Sequence, residues 1–587
     1  MSATQTTRHW ATAPAWPGRE QAARAMGVSQ LMAQVLFNRG LTDPGDARIF
    51  LDPQLKALPD PRLLSGAEQA AELIARKARD RRRIVIYGDY DVDGITGTAI
   101  LWHLLTLAGA DVGYYIPHRL EEGYGLNSDA LRQLAREGAD TVITVDCGIT
   151  AVEPAKVAHE LGLTLVITDH HAPGSGLPEC DGMVHPRIGD GYPNPDLAGA
   201  GVAFKLAWAV ARALCGSEKV TSRYRDFLVD ATGLAALGTI ADVVPLRGEN
   251  RILTRFGLLG LAESKLPGLR ALIAVSRLAD QKLSSEHVGF WLAPRLNAAG
   301  RMGHAHQAVE LLTHADEARA AEVAAFLEQQ NRDRQATERR LLDEACEQIV
   351  SRRLASDARR GIVLASENWH AGVIGIVASR IVERFGRPTV LIALEGEEGQ
   401  GSGRSIPGFD LHRALGDCAS YLTTCGGHAM AAGLRIARAQ VEAFTEAFVA
   451  RANNLLTARD LEPALHLDAE VSLGELTEPL VHDLARLRPF GCGNPKPKFA
   501  SAWLDLDGEP RLVGSAGTHL AFSLRDGQTR RRAIAFGQKE RFEPLLEHRR
   551  CRVAFEPKLN TFNGHTSVEL CVVDMMFPGK GEGETEG

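Results

Sequence analysis

The residues best equipped for chemistry lie in three short stretches, each of which ends an apolar run on acidic or imidazole side chains. In IVIYGDYDVDG (84–94), Asp89, Asp91 and Asp93 follow the apolar run of Ile84, Val85 and Ile86 after Tyr87 and Gly88. In TVITVDCGI (141–149) the run stops on Asp146, and in TLVITDHH (164–171) it stops on Asp169, His170 and His171. Carboxylates crowded at alternate positions repel one another and are costly to leave unpaired in a cleft, so a bound cation is the simplest relief. A hydrated acidic turn is the alternative reading of any one stretch, but it accounts poorly for all three. Carboxylate and imidazole donors without thiolates suit Mn²⁺ or Mg²⁺ and disfavour a structural zinc.

Those side chains need a common platform. Each apolar run is short and continuous, which predicts a strand buried on both faces of a parallel sheet. The Gly-Ile-Thr-Gly at 94–97 turns the first run into an apolar helix, TAILWHLLTLAG, and Gly148 permits a tight turn into a helix near Ala151. Repeated βα units of this kind predict an α/β fold with a doubly wound parallel sheet, which binds its ligands at the carboxyl ends of the strands. A further strand at Val112–Ile116 precedes the polar loop HRLEEGYGLN, which carries Arg119 to the same side.

At 587 residues the chain is too long for one core and predicts three or four domains. Hydrophobic residues at 45% and charged residues at 24% are an ordinary soluble composition. No apolar run reaches membrane-span length and the first twenty residues lack a signal-peptide pattern, so a cytoplasmic place is expected. Nine cysteines without a CxxC pair predict reduced thiols. A net charge of -7 excludes a surface that is basic all over, so any nucleic-acid site must be a local groove. The basic clusters at 76–83, 530–532 and 548–552 read first as solvated faces.

The first sixty or so residues read as a partly helical lead-in without visible chemistry. From His304 to Arg360 there is neither Gly nor Pro, which predicts one long helix or two abutting ones, with a capping box offered by Thr313 and Asp316. Its middle, EQQNRDRQATERR, has almost no apolar face; this predicts a helix crossing solvent between two domains, and no heptad supports a coiled coil. A second α/β pattern follows, with the glycine-rich stretches GSGRS and GGHAMAAG read as loops. The last part alternates in period two between Gly and Asn turns, as a small β-barrel would. Phe536 reads as core, while Phe562, Lys496, Lys498 and the 530–532 arginines are candidates for a strand-binding groove. The tail GKGEGETEG reads as disordered.

DYDVDG, VDCGI, TDHH and GTIADVVPL, in this order, resemble the motifs of the DHH family of phosphoesterases. The GDYDxDG form of the first is similar to the RecJ branch of single-strand-specific exonucleases. RLNAAGRMG (295–303), WHAGVIGIVASRIVERFGRP (369–388), GSGRSIPGFDL (401–411), GGHAMAAGL (426–434) and RPFGCGNPKPKF (488–499) carry the same resemblance. It implies a metal-dependent 5′-to-3′ exonuclease degrading single-stranded DNA to mononucleotides in repair and recombination. Its alternatives are hydrolysis of short oligonucleotides or cyclic dinucleotides, and an inactive nucleic-acid-binding scaffold. Retention of every motif carboxylate and both histidines speaks against the scaffold.

By motif, the resemblance assigns Asp91, Asp93, Asp146, His170 and Asp242 as ligands of two Mn²⁺ or Mg²⁺ ions, with Asp146 bridging. Asp89 and His171 join Asp146 nearest the chemistry; a histidine merely bonded to Asp169 is the alternative for His171. Arg119, Arg301, Ser402, Arg404 and His428 are implied to bind substrate. The implied domains are a lead-in (1–65), a DHH catalytic domain (66–303), a connecting helix (304–358), a DHH-associated domain (359–457), an OB-fold (458–577) and a tail (578–587). Implied partners are single-stranded DNA, a helicase and a single-strand-binding protein, with no membrane.

Overall fold

The computed structural model describes residues 8–579 except 119–121, 124, 190, 302 and 563, and not the side chain of Phe562. Arg119, the ring of Phe562 and the expected tail from 580 onward therefore lie outside the described residues.

Among the described residues, five parallel strands form the first sheet, in the order Val112–Tyr115, Ile84–Gly88, Thr141–Val145, Thr164–Thr168, Gly182–Val184. Helices Val92–Leu107 and Gly199–Cys215 pack in one core against it, and helices Ser128–Arg136 and Val152–Glu160 pack in another. With both faces covered, Ile84–Gly88 and Thr141–Val145 are buried at every residue, which is why their apolar runs do not alternate. All three chemistry-bearing stretches consequently emerge at one edge of the sheet.

The connecting region is two helices, Ala305–Thr313 and Glu317–Ser351. The cap of the second is Asp316, whose carboxylate accepts the Arg319 N–H at 2.8 Å; Thr313 instead ends the first, donating its hydroxyl to Val309 O at 2.6 Å. The expected solvent crossing does not occur. Asn331, Arg334 and Glu338 continue the buried stripe set by Val323, Ala324, Leu327 and Leu341. Burial of such polar groups is tolerated because they satisfy one another. Arg334 pairs with Glu338 at 2.8 Å and donates to Asn331 at 3.0 Å, while Arg380 from the second domain reaches Glu338 at 2.6 Å.

The second domain is a mixed sheet in the order Thr424–Gly427, Ala431–Ala437, Glu398–Arg404, Thr389–Glu395, Ile362–Ser366, packed by helix Ala371–Phe385. The first four residues of GSGRS, 401–404, lie within a strand of this sheet rather than in a loop. In the last domain, Leu504–Leu506, His519–Asp526, Thr529–Ala535, His565–Met576 and Arg550–Phe562 each pair with the next, and the last pairs back with the first. That closure, with helix Phe542–His548 leading into the Arg550 strand, is a small OB-type barrel.

The N-terminal segment belongs structurally to the far end of the chain. His9–Thr12 pairs in parallel with Ala464–Leu467, and Met32, Val35, Leu36, Phe50 and Leu51 join the barrel core. Arg251 ties this assembly to the first domain: its buried guanidinium donates to the carbonyls of Phe50, Arg486, Leu487 and Arg488. No helix among the described residues is long and apolar enough to cross a membrane. All nine cysteines are free thiols.

Candidate metal centre and its surroundings

Each motif is held by backbone geometry that follows from its place at a strand end. Asp91 caps helix Val92–Leu107, accepting the Asp93 and Gly94 N–H groups at 2.9 and 3.2 Å. Asp93 receives the Gly199 N–H at 2.6 Å and the Ala200 N–H at 2.9 Å, from the first turn of helix Gly199–Cys215, where the dipole favours negative charge. Asp146 sits at φ 63°, a left-handed conformation that aspartate tolerates and that clusters at functional sites. A Cβ on Gly199 would lie 2.7 Å from Asp146 Oδ1, and one on Gly238 would lie 2.5 Å from Asp93 Oδ1. Glycine is needed at both positions for the carboxylates to converge.

Asp242 closes the C-terminal end of helix Ser222–Ala241 and brings its carboxylate to 3.6 Å from His170 Nε2; Asp146 Oδ1 lies 3.1 Å from the same nitrogen and Asp93 Oδ2 3.8 Å. Ligand-capable atoms of Asp93, His170 and Asp242 all lie within 4.8 Å of one another. The same holds for Asp89, Asp91 and Asp146, and for Asp146, His170 and His171. Asp146 is thus common to two of the groups.

The electrostatics match the geometry. Burial, then the charge of Asp91, pushes Asp93 up to about 7. Burial, then Asp93, pushes Asp242 up to about 9, and the same causes hold Asp146 well above the usual carboxylate range. At an effective dielectric of about 20, two like charges about 4 Å apart repel by about 4 kcal/mol, so this set resists full ionisation on its own. His170 is pushed down to about 3 by burial and by the neighbouring His171, which leaves it a neutral nitrogen donor at physiological pH. Oxygen donors around one neutral imidazole fit a hard divalent cation, and the pooled negative charge gives it a reason to bind.

His171 behaves differently from its neighbour. Burial alone would lower it, but the 2.8 Å hydrogen bond to Asp169 and that carboxylate's charge prevail and lift it to about 9. Asp169 is anchored in turn by the His170, His171 and Ile149 N–H groups; burial would raise its pKa, but these bonds and His171 hold it at about 2. With its side chain 35% exposed, against 10% for His170, a protonated His171 faces the outside of the cluster.

Of the remaining candidates, Arg301 bridges the two domains. Arg301 ends helix Ala293–Arg301 and donates to Gly372 O of the second domain at 3.0 Å. Arg404 donates to Ser402 Oγ at 3.1 Å and Gly403 O at 2.7 Å, over Gly375, where a Cβ would come within 2.9 Å of Ser402 Oγ. Ala431 pairs with Arg404 across the sheet, so the exposed hairpin turn that carries His428 hangs beside that arginine. Two supporting residues escaped the candidate set. Asp169 fixes His171, and Asn297 Oδ1 accepts the Val92 N–H at 3.2 Å beneath the first aspartates. Both lie inside quoted motifs, TDHH and RLNAAGRMG, which was the available signal.

A doubly wound domain with carboxylates and a DHH tripeptide at its strand ends, joined to a second α/β domain, defines the DHH class of phosphoesterases. The chain matches the DHH family N-terminal domain over residues 83–239, the DHHA1 domain over 359–454 and the RecJ OB domain over 467–574. It is 38% identical over 550 residues to the single-stranded-DNA-specific exonuclease RecJ of Bacillus subtilis (strain 168), covering 93% of this chain and 68% of that protein. The crystal structure of RecJ from Thermus thermophilus in complex with Mn²⁺ superposes with a TM-score of 0.82 at 33% identity, covering 97% of this chain and 80% of that one. The Mg²⁺ complex of the same protein gives 0.76 at 32% identity over 97% and 79%. The chain belongs to the RecJ family.

Proposed function

We propose that this chain is a metal-dependent exonuclease that degrades single-stranded DNA from the 5′ end to mononucleotides, in repair and recombination. The observation that carries the reading is the convergence of Asp89, Asp91, Asp93, Asp146, His170 and Asp242 into ligand groups that overlap through Asp146 and His170. Those residues would hold two Mn²⁺ or Mg²⁺ ions, which supply Lewis acidity and a hydroxide near neutral pH when bound. Asp146, central to the groups, is the bridging candidate. Asp169 orients His171 and keeps it protonated, so its imidazolium can stabilise charge on, or donate a proton to, the leaving oxygen. Arg301, at the seam, takes the phosphate at the reaction centre, and its planar fork suits two phosphate oxygens. Arg119, Ser402, Arg404 and His428 receive the terminal phosphate and the adjoining backbone.

In this reading the work divides among a catalytic domain (66–303), the connecting helices (304–358), a substrate-binding domain (359–457) and a strand-binding barrel (458–577). A cytoplasmic setting, with a helicase and a single-strand-binding protein as partners, completes it. Digestion of a single strand labelled at either end, with each metal in turn, tests the whole. A 5′ label should appear at once as mononucleotide, while a 3′ label should appear as a descending ladder. Internal cuts, or an intact strand under both metals, would overturn it.

A further inference from the structure

Beside the metal centre, between helix Ala293–Arg301, the long connecting helix and helix Ala371–Phe385, lies a cavity of about 520 Å³. Its walls bring four arginines, Arg301, Arg334, Arg339 and Arg380, against a single carboxylate, Glu338. Arg334 and Arg380 both spend their charge on Glu338, whereas Arg339 is exposed and has no ion pair among the described residues. The cavity therefore carries excess positive charge.

Phe290 also lines the cavity and is 74% exposed. It lies in a π-helical turn, Val288–Leu292, packed edge-on against Trp291 with ring centroids 6.3 Å apart. Such turns are rare and recur at functional sites, and this one turns a large aromatic face outward. Asn297, which also lines the cavity, bonds the Val92 N–H beneath the first aspartates, so the cavity and the metal centre share a wall.

We propose that this cavity is a nucleotide subsite, in which a base stacks on Phe290 and a phosphate lies on Arg339 and Arg380. The volume suits one nucleotide, a stacking aromatic accepts any base, and guanidinium groups match phosphate oxygens. A phosphate arriving at Arg380 competes with Glu338 and so draws on the ion pair that ties the second domain to the connecting helix. The nucleotide has two sources of the same chemistry: a residue of the bound strand, or a free mononucleotide released by the reaction. The inference rests on the nuclease reading only for the choice of a nucleotide as ligand.

The test is calorimetric titration of the full chain in EDTA with deoxyadenosine 5′-monophosphate, and separately with inorganic phosphate. Without metal the carboxylate cluster repels anions, so binding reports the cavity. Phe290→Ala should weaken the nucleotide by about tenfold and leave inorganic phosphate unchanged, since one stacked base is lost. Arg339→Ala should weaken both ligands. Phe290 and Arg339 are exposed, so both variants should fold, which their melting temperatures check. Failure of the nucleotide to bind in EDTA, or binding indifferent to both substitutions, overturns the subsite even if strand digestion proceeds normally. With metal present, a raised KM for oligonucleotides at unchanged kcat in both variants assigns the site to the strand. Loss of product inhibition alone assigns it to the free nucleotide.

Discussion

The metal centre and the C-terminal barrel handle charge in opposite ways. At the strand ends, carboxylates of Asp93, Asp146 and Asp242 crowd together, and burial first, then neighbouring carboxylates, push the pKa of each upward. In and beside the barrel the basic residues are already matched: Arg530 with Asp507, Arg532 and Lys558 with Glu569, Lys496 with Glu286, Lys498 with Glu556. The pair with both partners well exposed, Lys496 with Glu286, is of a kind worth about 0 to 1 kcal/mol, so a DNA phosphate can replace that carboxylate at little cost, whereas the buried Glu569 keeps its partners. Repulsion of the first kind is several times larger and is relieved by a cation. In the proposed function, chemistry is concentrated where like charges are forced together, and strand holding would fall to sites where exchange is easy.

The largest expected effect breaks the first side of that contrast. Asp146→Ala should abolish nuclease activity, because it removes the residue shared by two ligand groups. It should also raise the melting temperature of the metal-free protein, since it relieves a carboxylate that burial and its neighbours disfavour. Near-normal digestion by this variant would refute its central place. Next, His171→Ala should lower kcat by about 10² to 10⁴ with strand affinity nearly unchanged, as for a group that acts on the transition state. Equal losses in affinity and rate would make it a ground-state contact.

The same repulsion sets a pH dependence. Asp93 and Asp242 have folded values near 7 and 9, above their unfolded 3.8, so the folded state holds protons that the unfolded chain has lost. Their contribution to stability is full below about pH 4 and is lost as pH rises through about 7 and then about 9. In EDTA the melting temperature should therefore fall across that window, while apparent Mn²⁺ affinity rises by about tenfold per pH unit for each proton displaced. A metal affinity flat between pH 6 and 8 would contradict the raised carboxylates.

Across the seam, Arg404→Ala should impair a 5′-phosphorylated strand by about tenfold or more, and the same strand with a 5′-hydroxyl much less, since a phosphate hydrogen bond to guanidinium is charge-assisted. Equal losses on both ends would place terminal-phosphate recognition elsewhere.

The two regions also differ in how well the sequence reveals them. The strand ends are legible because the signal is local: a buried strand needs a continuous apolar run, and the aspartates follow within a residue or two. What local pattern does not carry is the left-handed turn at Asp146 or the approach of Gly199, which comes from a helix some fifty residues later. The connecting helix was misleading, because polarity at 331, 334 and 338 predicts exposure unless the ion-pair partners, one of them Arg380, are known. Arg251 carries no pattern at all; its burial depends on five carbonyls from two distant segments.

Phe536 is the sharpest such failure, and it yields the smallest prediction. An alternating strand puts its apolar residues inside, which made Phe536 core by pattern. It falls just past the end of strand Thr529–Ala535 and is 50% exposed, with His519 edge-on at 5.2 Å and Lys558 Nζ 5.6 Å from the ring centroid. An exposed ring beside a lysine suits a stacked base flanked by a phosphate. Arg531, by contrast, is committed to the Leu476 and Arg530 carbonyls. Phe536→Ala should then weaken long strands by about five- to tenfold and spare strands too short to reach the barrel, within the range of one lost stack. Arg531→Ala should change the salt dependence of long-strand binding by less than one phosphate contact. If Arg531→Ala flattens the salt slope by a full unit while Phe536→Ala does nothing, the barrel holds DNA by fields alone, and the contrast with the metal centre is one of charge sign rather than of exchangeability.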